Sequence, residues 1–193
     1  MSAIVNRAKP SAEMIIKGGC GEITRHRIRD LAAWITLSSV MAEFTDLRTA
    51  VIPATDRKHL WIHEEPPDDW TICVGRYRGT EWSPIRYHHR AAQFFVNPLP
   101  GPGAVANAHE HHFQITTNAI GELVFLSFSA TDPVLCAEFR RVGVPPSMVQ
   151  IWPLPVNNLT WPIGPILNDG DVNVISVGFF DAFMAMANGA PPA

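Results

Sequence analysis

The order of apolar and polar positions divides the chain near residue 50. Before that point, between residues 24 and 47, apolar side chains recur at the spacing of a helix, and Thr24 is placed to cap its start. The early turns carry one apolar stripe, which consists of Ile28, Leu31 and Ile35. The later turns carry a second stripe, which consists of Leu37, Val40, Met41 and Phe44. The pattern predicts either one helix buried on more than one side or two helices that break at Ser38-Ser39.

After residue 50 the pattern changes to short apolar runs separated by turn residues, which is typical of strands. Asn118 to Gly121 is suited to a hairpin turn, and Asp132-Pro133 is suited to the start of a short helix over 134–141. The run 172–180 is almost continuously apolar and predicts a strand buried on both faces. The predicted strands are 50–53, 59–63, 70–78, 85–89, 93–97, 111–117, 122–130, 148–152 and 172–180.

Many short strands joined by proline-rich loops favour a mainly β fold, a β-sandwich or a jelly-roll-like domain with a helical N-terminal region. Residues 1–22 show no sustained period and are predicted to form an N-terminal arm. Residues 23–193 are predicted to form a single domain, with its helix at about 24–47 and proline-rich loops in its C-terminal half.

Charge is distributed unevenly along the 193 residues. Residues 1–90 carry 13 Lys/Arg and 11 Asp/Glu, whereas residues 91–193 carry only 2 Lys/Arg and 7 Asp/Glu. A half this poor in charge predicts either contact with other subunits, in a homo- or hetero-oligomer, or a neutral, proline-rich loop surface, and the first is favoured. The residues expected to anchor this interface lie in or beside the proline-rich segment and are Ile151, Trp152, Trp161 and Ile163.

Composition also limits the cellular compartments and the binding partners that are expected for the protein. The net charge of −3 gives no strong nucleic-acid signal, and no uninterrupted apolar run is suited to a membrane span. The three cysteines are odd in number and far apart, so reduced thiols are expected. Without an apolar signal core near the start, the sequence predicts an intracellular soluble protein or part of a particle.

One histidine-rich stretch offers candidate metal ligands. His109 and His111 are two residues apart, so both would lie on the same face of a strand. The spacing from Gly103 to these histidines resembles the opening of the first cupin motif, in which a glycine precedes two metal-binding histidines inside a jelly roll. The glutamate of that motif has no counterpart here, so a third ligand is expected from His88 or His89 by strand pairing.

A second histidine pair, His59 and His63, has the four-residue spacing that chelates a metal on a helix. The residues between them, Leu60-Trp61-Ile62, favour a strand. The sequence therefore predicts that this pair has no special role.

Three functions are compatible with these patterns. The favoured one is a structural or assembly protein, the jelly-roll-type subunit of a larger particle, and in general composition the chain resembles small viral coat proteins; neither an enzymatic activity nor a cofactor is expected for it. The second is a cupin-like metal-binding protein or metalloenzyme that uses a divalent transition metal at His109 and His111. The third is a neutral binding domain for an unspecified ligand.

Overall fold

The computed structural model describes residues 2–46, 49–96, 109–142, 145–154 and 157–187. Over these residues the chain forms five helices and eight strands, and the helices hold more residues than the strands. The helices are α1 (Ser2–Ile16), α2 (Arg25–Glu43), α3 (Ala54–His63), α4 (Pro133–Val142) and α5 (Asp169–Ala187). The strands are β1 (Gly21–Thr24), β2 (Thr71–Tyr77), β3 (Ile85–Val96), β4 (His109–Ile120), β5 (Leu123–Ala130), β6 (Met148–Trp152), β7 (Asn158–Trp161) and β8 (Ile166–Leu167).

The centre of the fold is a six-stranded sheet in which the neighbouring strands run in the order β3-β4-β5-β2-β6. These pairs are antiparallel, and β8 joins β2 in parallel. A separate ribbon pairs β1 with β7. The hairpin predicted between residues 111 and 130 is confirmed, but its turn is at Gly121-Glu122 rather than across Asn118 to Gly121, because β4 continues to Ile120. Gly121 takes the positive φ of 56° that this turn requires.

Helices cover both faces of the sheet. On one face, Leu123 and Phe125 of β5 pack in a core shared with α1, α2 and the β1–β7 ribbon. On the other face, Val124, Leu126 and Phe128 pack in a second core shared with α4 and α5. A sheet-rich fold is therefore confirmed, but a β-sandwich or jelly roll is not, because helices lie where a second sheet would pack.

The prediction of an N-terminal arm is wrong. Residues 2–16 form α1, which packs against α2, and its apolar face is buried. That face consists of Ile4, Ala8, Ala12 and Ile15, a helical period that small alanines and Pro10 obscure in the sequence.

α2 is continuous and is buried on more than one side, the first of the two predicted alternatives. The hydroxyls of Thr36, Ser38 and Ser39 bond back to carbonyls one turn earlier, so these residues do not break the helix. The predicted helix over 134–141 is also confirmed: the backbone N–H of Val134 donates to Oδ1 of Asp132 at 2.8 Å.

Two predicted strands are helices in the structure. Residues 59–63 belong to α3, and residues 172–180 belong to α5. In α5, Val172 and Ile175 are buried and Phe179 is partly buried, at the i, i+3, i+7 spacing of a helix. β-branched and aromatic side chains favoured a strand by propensity, and this tertiary packing overrides that preference.

Two further expectations can be compared with the structure. All three cysteines are free thiols: Cys20 is exposed, while Cys73 and Cys136 are buried. Among the described residues, no helix combines the length and the apolar character needed to cross a membrane.

Candidate functional site

An open apolar groove of about 240 Å³ lies between α1, α2 and α3. One wall is the second apolar stripe of α2, whose residues recur three and four apart. The other wall is the face of α3 that repeats at the same spacing, and Ile4 of α1 completes the lining. The lining residues are Ile4, Leu37, Val40, Met41, Phe44, Arg57, Leu60, Trp61 and Glu64.

The groove exposes large apolar side chains on both walls. Trp61 is 68% exposed, Phe44 is 59% exposed and Met41 is 50% exposed, whereas Val40 and Leu60 are buried. Ile62, next to Trp61 on α3, is exposed as well. Large apolar side chains that cluster on a soluble protein, with charged residues at the rim, mark an interaction site more often than a neutral surface.

A buried carboxylate fixes the two walls to each other. Glu43 is completely buried at the end of α2, and its Oε1 accepts the backbone N–H groups of Val51 and Ile52 at 2.7 and 2.6 Å. Its Oε2 accepts a hydrogen bond from Arg57 of α3 at 3.1 Å. Burial raises the pKa of Glu43, and these hydrogen bonds and the charge of Arg57 partly oppose that rise. The contacts hold the α2–α3 connection and place Arg57 at the groove.

A second ionic cluster ties α1 to the same pair of helices. Arg7 of α1 donates to the buried Asp30 of α2 at 2.9 Å and also pairs with Glu64, the residue that caps the end of α3. Glu64 lies in the left-handed region with a φ of 54°. The groove is therefore a preformed surface that three helices hold through two sets of polar contacts.

The four residues predicted to anchor an interface lie elsewhere, and that prediction is wrong. Ile151, Trp152, Trp161 and Ile163 are all buried in the core that the chain itself forms beneath α2. Trp152 donates its indole N–H to the carbonyl of Pro67 at 2.8 Å. Side chains buried inside the fold are not available to a second subunit.

His88 and His89 do not meet the His109–His111 pair. In the β3–β4 register, His88 lies opposite Thr117 and His89 lies opposite Thr116, whereas His111 lies opposite Phe94 and His109 opposite Val96. Because Phe94 is six residues along the strand from His88, the separation is roughly 20 Å. His89 also faces the other side of the sheet. The prediction that strand pairing brings His88 or His89 to the His109–His111 pair as a third metal ligand is therefore wrong.

The environments of His88 and His89 differ as well. Nδ1 of His88 lies 3.4 Å from the hydroxyl of Ser176 on α5. Nδ1 of His89 lies 2.7 Å from the hydroxyl of Thr116, and its Nε2 lies 3.3 Å from the carbonyl oxygen of Thr49. Burial is the main cause that lowers the pKa of both rings, so both are neutral near pH 7.

The remaining candidate ligands lie on β4. His111 is partly buried, and its Nδ1 lies 4.0 Å from Oδ2 of Asp132. The side chain of His109 and residue Gly103 lie outside what the structure describes. Within the described residues no group of three or more His, Cys, Asp or Glu side chains is arranged to hold a metal ion. Metal binding at His109 and His111 stays a prediction.

The sequence contains a signal for the groove. Leu37, Val40, Met41 and Phe44 form a stripe that does not continue the first stripe of α2, and this second stripe is one groove wall. The other wall was missed because residues 59–63 were predicted to be a strand.

No protein-family model, curated protein or solved structure matches the chain.

Proposed function

We propose that the chain is an assembly subunit that self-associates through the groove between α1, α2 and α3. The observation that carries the proposal is the exposure of Trp61, Phe44 and Met41 side by side on a preformed surface. Aromatic residues and methionine are enriched at the centres of protein interfaces, where they supply much of the binding energy.

The charges at the groove favour a second copy of the same chain as its occupant. Arg57 and Glu64 lie on one face of α3, seven residues apart, which is about 10.5 Å along a helix. If two α3 helices pack antiparallel about a two-fold axis, Arg57 of one copy comes opposite Glu64 of the other. Both intermolecular pairs then add to the contacts that Arg57 makes with Glu43 and Glu64 makes with Arg7 within each chain. Leu60 and Trp61 then lie close to the axis. A two-fold contact requires this kind of self-complementary surface.

The proposal keeps the assembly function expected from the sequence but assigns it a different surface. The charge-poor segment 91–193 supplies central strands and core side chains, and the apolar surface that remains exposed at the groove belongs to the first 64 residues. A stable contact should bury at least about 800 Å² on each chain.

The experiment is sedimentation velocity of the wild type and of Trp61→Ser over a dilution series. We expect the wild type to show a concentration-dependent mass that reaches at least a dimer. Trp61→Ser should weaken association by at least about tenfold, because truncation of a central aromatic anchor removes much of the interface energy.

The matched control is Val174→Ser on α5. Val174 is 70% exposed but lies outside the groove, so its replacement also removes an exposed apolar side chain. This variant should associate as the wild type does. A wild type that is monomeric throughout the series, or equal weakening by both substitutions, would contradict the proposal.

A further inference from the structure

The two histidines of α3 are close together in the folded chain. His59 and His63 are four residues apart on one face of the helix, and their ring centroids are 4.5 Å apart with an angle of 44° between the ring planes. The sequence places the strand-favouring Leu60-Trp61-Ile62 between them. Because the segment is a helix, two residues that are four apart are neighbours on one face. In a strand the same two rings would lie too far apart to bind one ion.

One of the two rings carries an unsatisfied nitrogen. Nε2 of His59 is shielded from solvent and has no hydrogen-bond partner among the residues that the structure describes. A buried polar atom without a partner costs free energy, about 1–3 kcal/mol in typical proteins. His63, whose ring lies against that of His59, is exposed and can adjust its side chain. An ion held between the two rings would supply the missing partner.

We propose that His59 and His63 form a two-histidine site for a divalent transition-metal ion. Neutral imidazole nitrogens suit copper, nickel and zinc, and two histidines at i and i+4 on one helix face are an established way to bind such an ion. The remaining coordination positions are open to water. Asp56, one turn earlier, is already engaged, since its Oδ2 accepts the indole N–H of Trp70 at 2.9 Å.

The site is separate from the groove. Arg57, Leu60, Trp61 and Glu64 line the groove, and at about 100° per residue the histidines point from another side of α3. Metal binding and self-association can therefore be tested independently.

The test is calorimetric titration of protein without an affinity tag with Cu²⁺ alone and with Zn²⁺ alone, accompanied by thermal unfolding. We expect Cu²⁺ to bind more tightly than Zn²⁺, in the general order of divalent-metal affinities. Copper should raise the melting temperature of the wild type, because only the folded helix holds both ligands together.

His59→Ala and His63→Ala should each weaken Cu²⁺ binding by at least about tenfold and remove the thermal shift, because a single imidazole cannot chelate. His26→Ala, at an exposed helical position, is the matched control, and His111→Ala separates this site from the one predicted on β4. His26→Ala should bind Cu²⁺ as the wild type does, and His111→Ala should keep the binding that His59→Ala and His63→Ala lose. Far-UV circular dichroism would confirm that each variant is folded. Equal affinity in the wild type and His63→Ala, or loss of binding only in His111→Ala, would overturn the proposal.

Discussion

The charge content of the sequence around Trp61 and around Trp161 predicts the wrong degree of burial for each tryptophan. Trp61 belongs to the charge-rich first half of the chain and is 68% exposed at the groove, whereas Trp161 belongs to the charge-poor second half and is completely buried on β7. Within the described residues, low charge in the second half accompanies extensive burial in the fold, although Val134, Ile166 and Val174 are exposed.

The central strands explain this difference. Every residue of β5 is buried, because helices cover both faces of the sheet. A strand in that position cannot carry charge without a large desolvation cost. Most of the first 64 residues instead form α1, α2 and α3, and each of these helices buries one side and leaves charged or apolar groups on the other. Apolar side chains left exposed by these helices are therefore the better guide to an interface.

The largest expected effect tests the two tryptophans directly. Trp161→Ala should lower the free energy of unfolding by about 3–5 kcal/mol, because it leaves a cavity in the core beneath α2. Trp61→Ala should change that free energy by less than about 0.5 kcal/mol in the monomer. Urea denaturation at a protein concentration where the chain is monomeric measures both values. Comparable losses of unfolding free energy in Trp161→Ala and Trp61→Ala would contradict the distinction between a buried Trp161 and an exposed Trp61.

The next effect concerns the carboxylate that joins the groove walls. Glu43→Ala should cost about 3 kcal/mol, because it leaves the backbone N–H groups of Val51 and Ile52 without their acceptor. Glu43→Gln should cost less, since its amide oxygen can accept the same hydrogen bonds without a buried charge. The free energies of unfolding of the two variants provide the measurement. Equal losses for glutamine and alanine would show that the charge, rather than the acceptor, holds the walls.

A smaller effect should appear in the pH dependence of stability. Burial lowers the pKa of His89 below the unfolded value, so on acidification the unfolded chain takes up a proton that the folded chain resists. The contribution of His89 to stability is thus present above about pH 6.5 and is lost as the pH falls below it. His89→Gln should lose less stability than the wild type between about pH 7.5 and about pH 5.5.

The control for this experiment is His26→Gln, at an exposed position on α2. Unfolding free energies of the wild type and of both variants are measured across the same pH series, and the slope of the wild type is the reference. If His89→Gln keeps that slope, the buried ring does not contribute to the acid sensitivity of the fold.

Local patterns in the sequence predicted some elements correctly. The β4–β5 hairpin has alternating apolar positions and a turn glycine, and α4 has both a capping aspartate and a proline at its first position. These signals act within a few residues. They do not depend on which distant element packs against the segment. The elements that these signals predict are therefore present in the folded chain.

Predictions that depended on distant contacts failed. In α5 and α3, β-branched and aromatic residues favoured strands, but both segments are helices, and in α5 Val172 and Ile175 pack in the core on that face of the sheet. The candidate histidines depended on strand register, which places His88 opposite Thr117 instead of near His111. Register follows from the whole sheet and could not be deduced from spacing along one strand.

Hydrogen–deuterium exchange across a dilution series tests the central claim most directly, because it locates the associating surface without any substitution. We predict that amides of α3 and of the C-terminal half of α2 exchange more slowly at high protein concentration. Amides of β6 and β7, around Trp152 and Trp161, should exchange at a rate independent of concentration. Concentration-dependent protection at β6 and β7 with none at α2 and α3 would contradict the assignment of the interface to the groove.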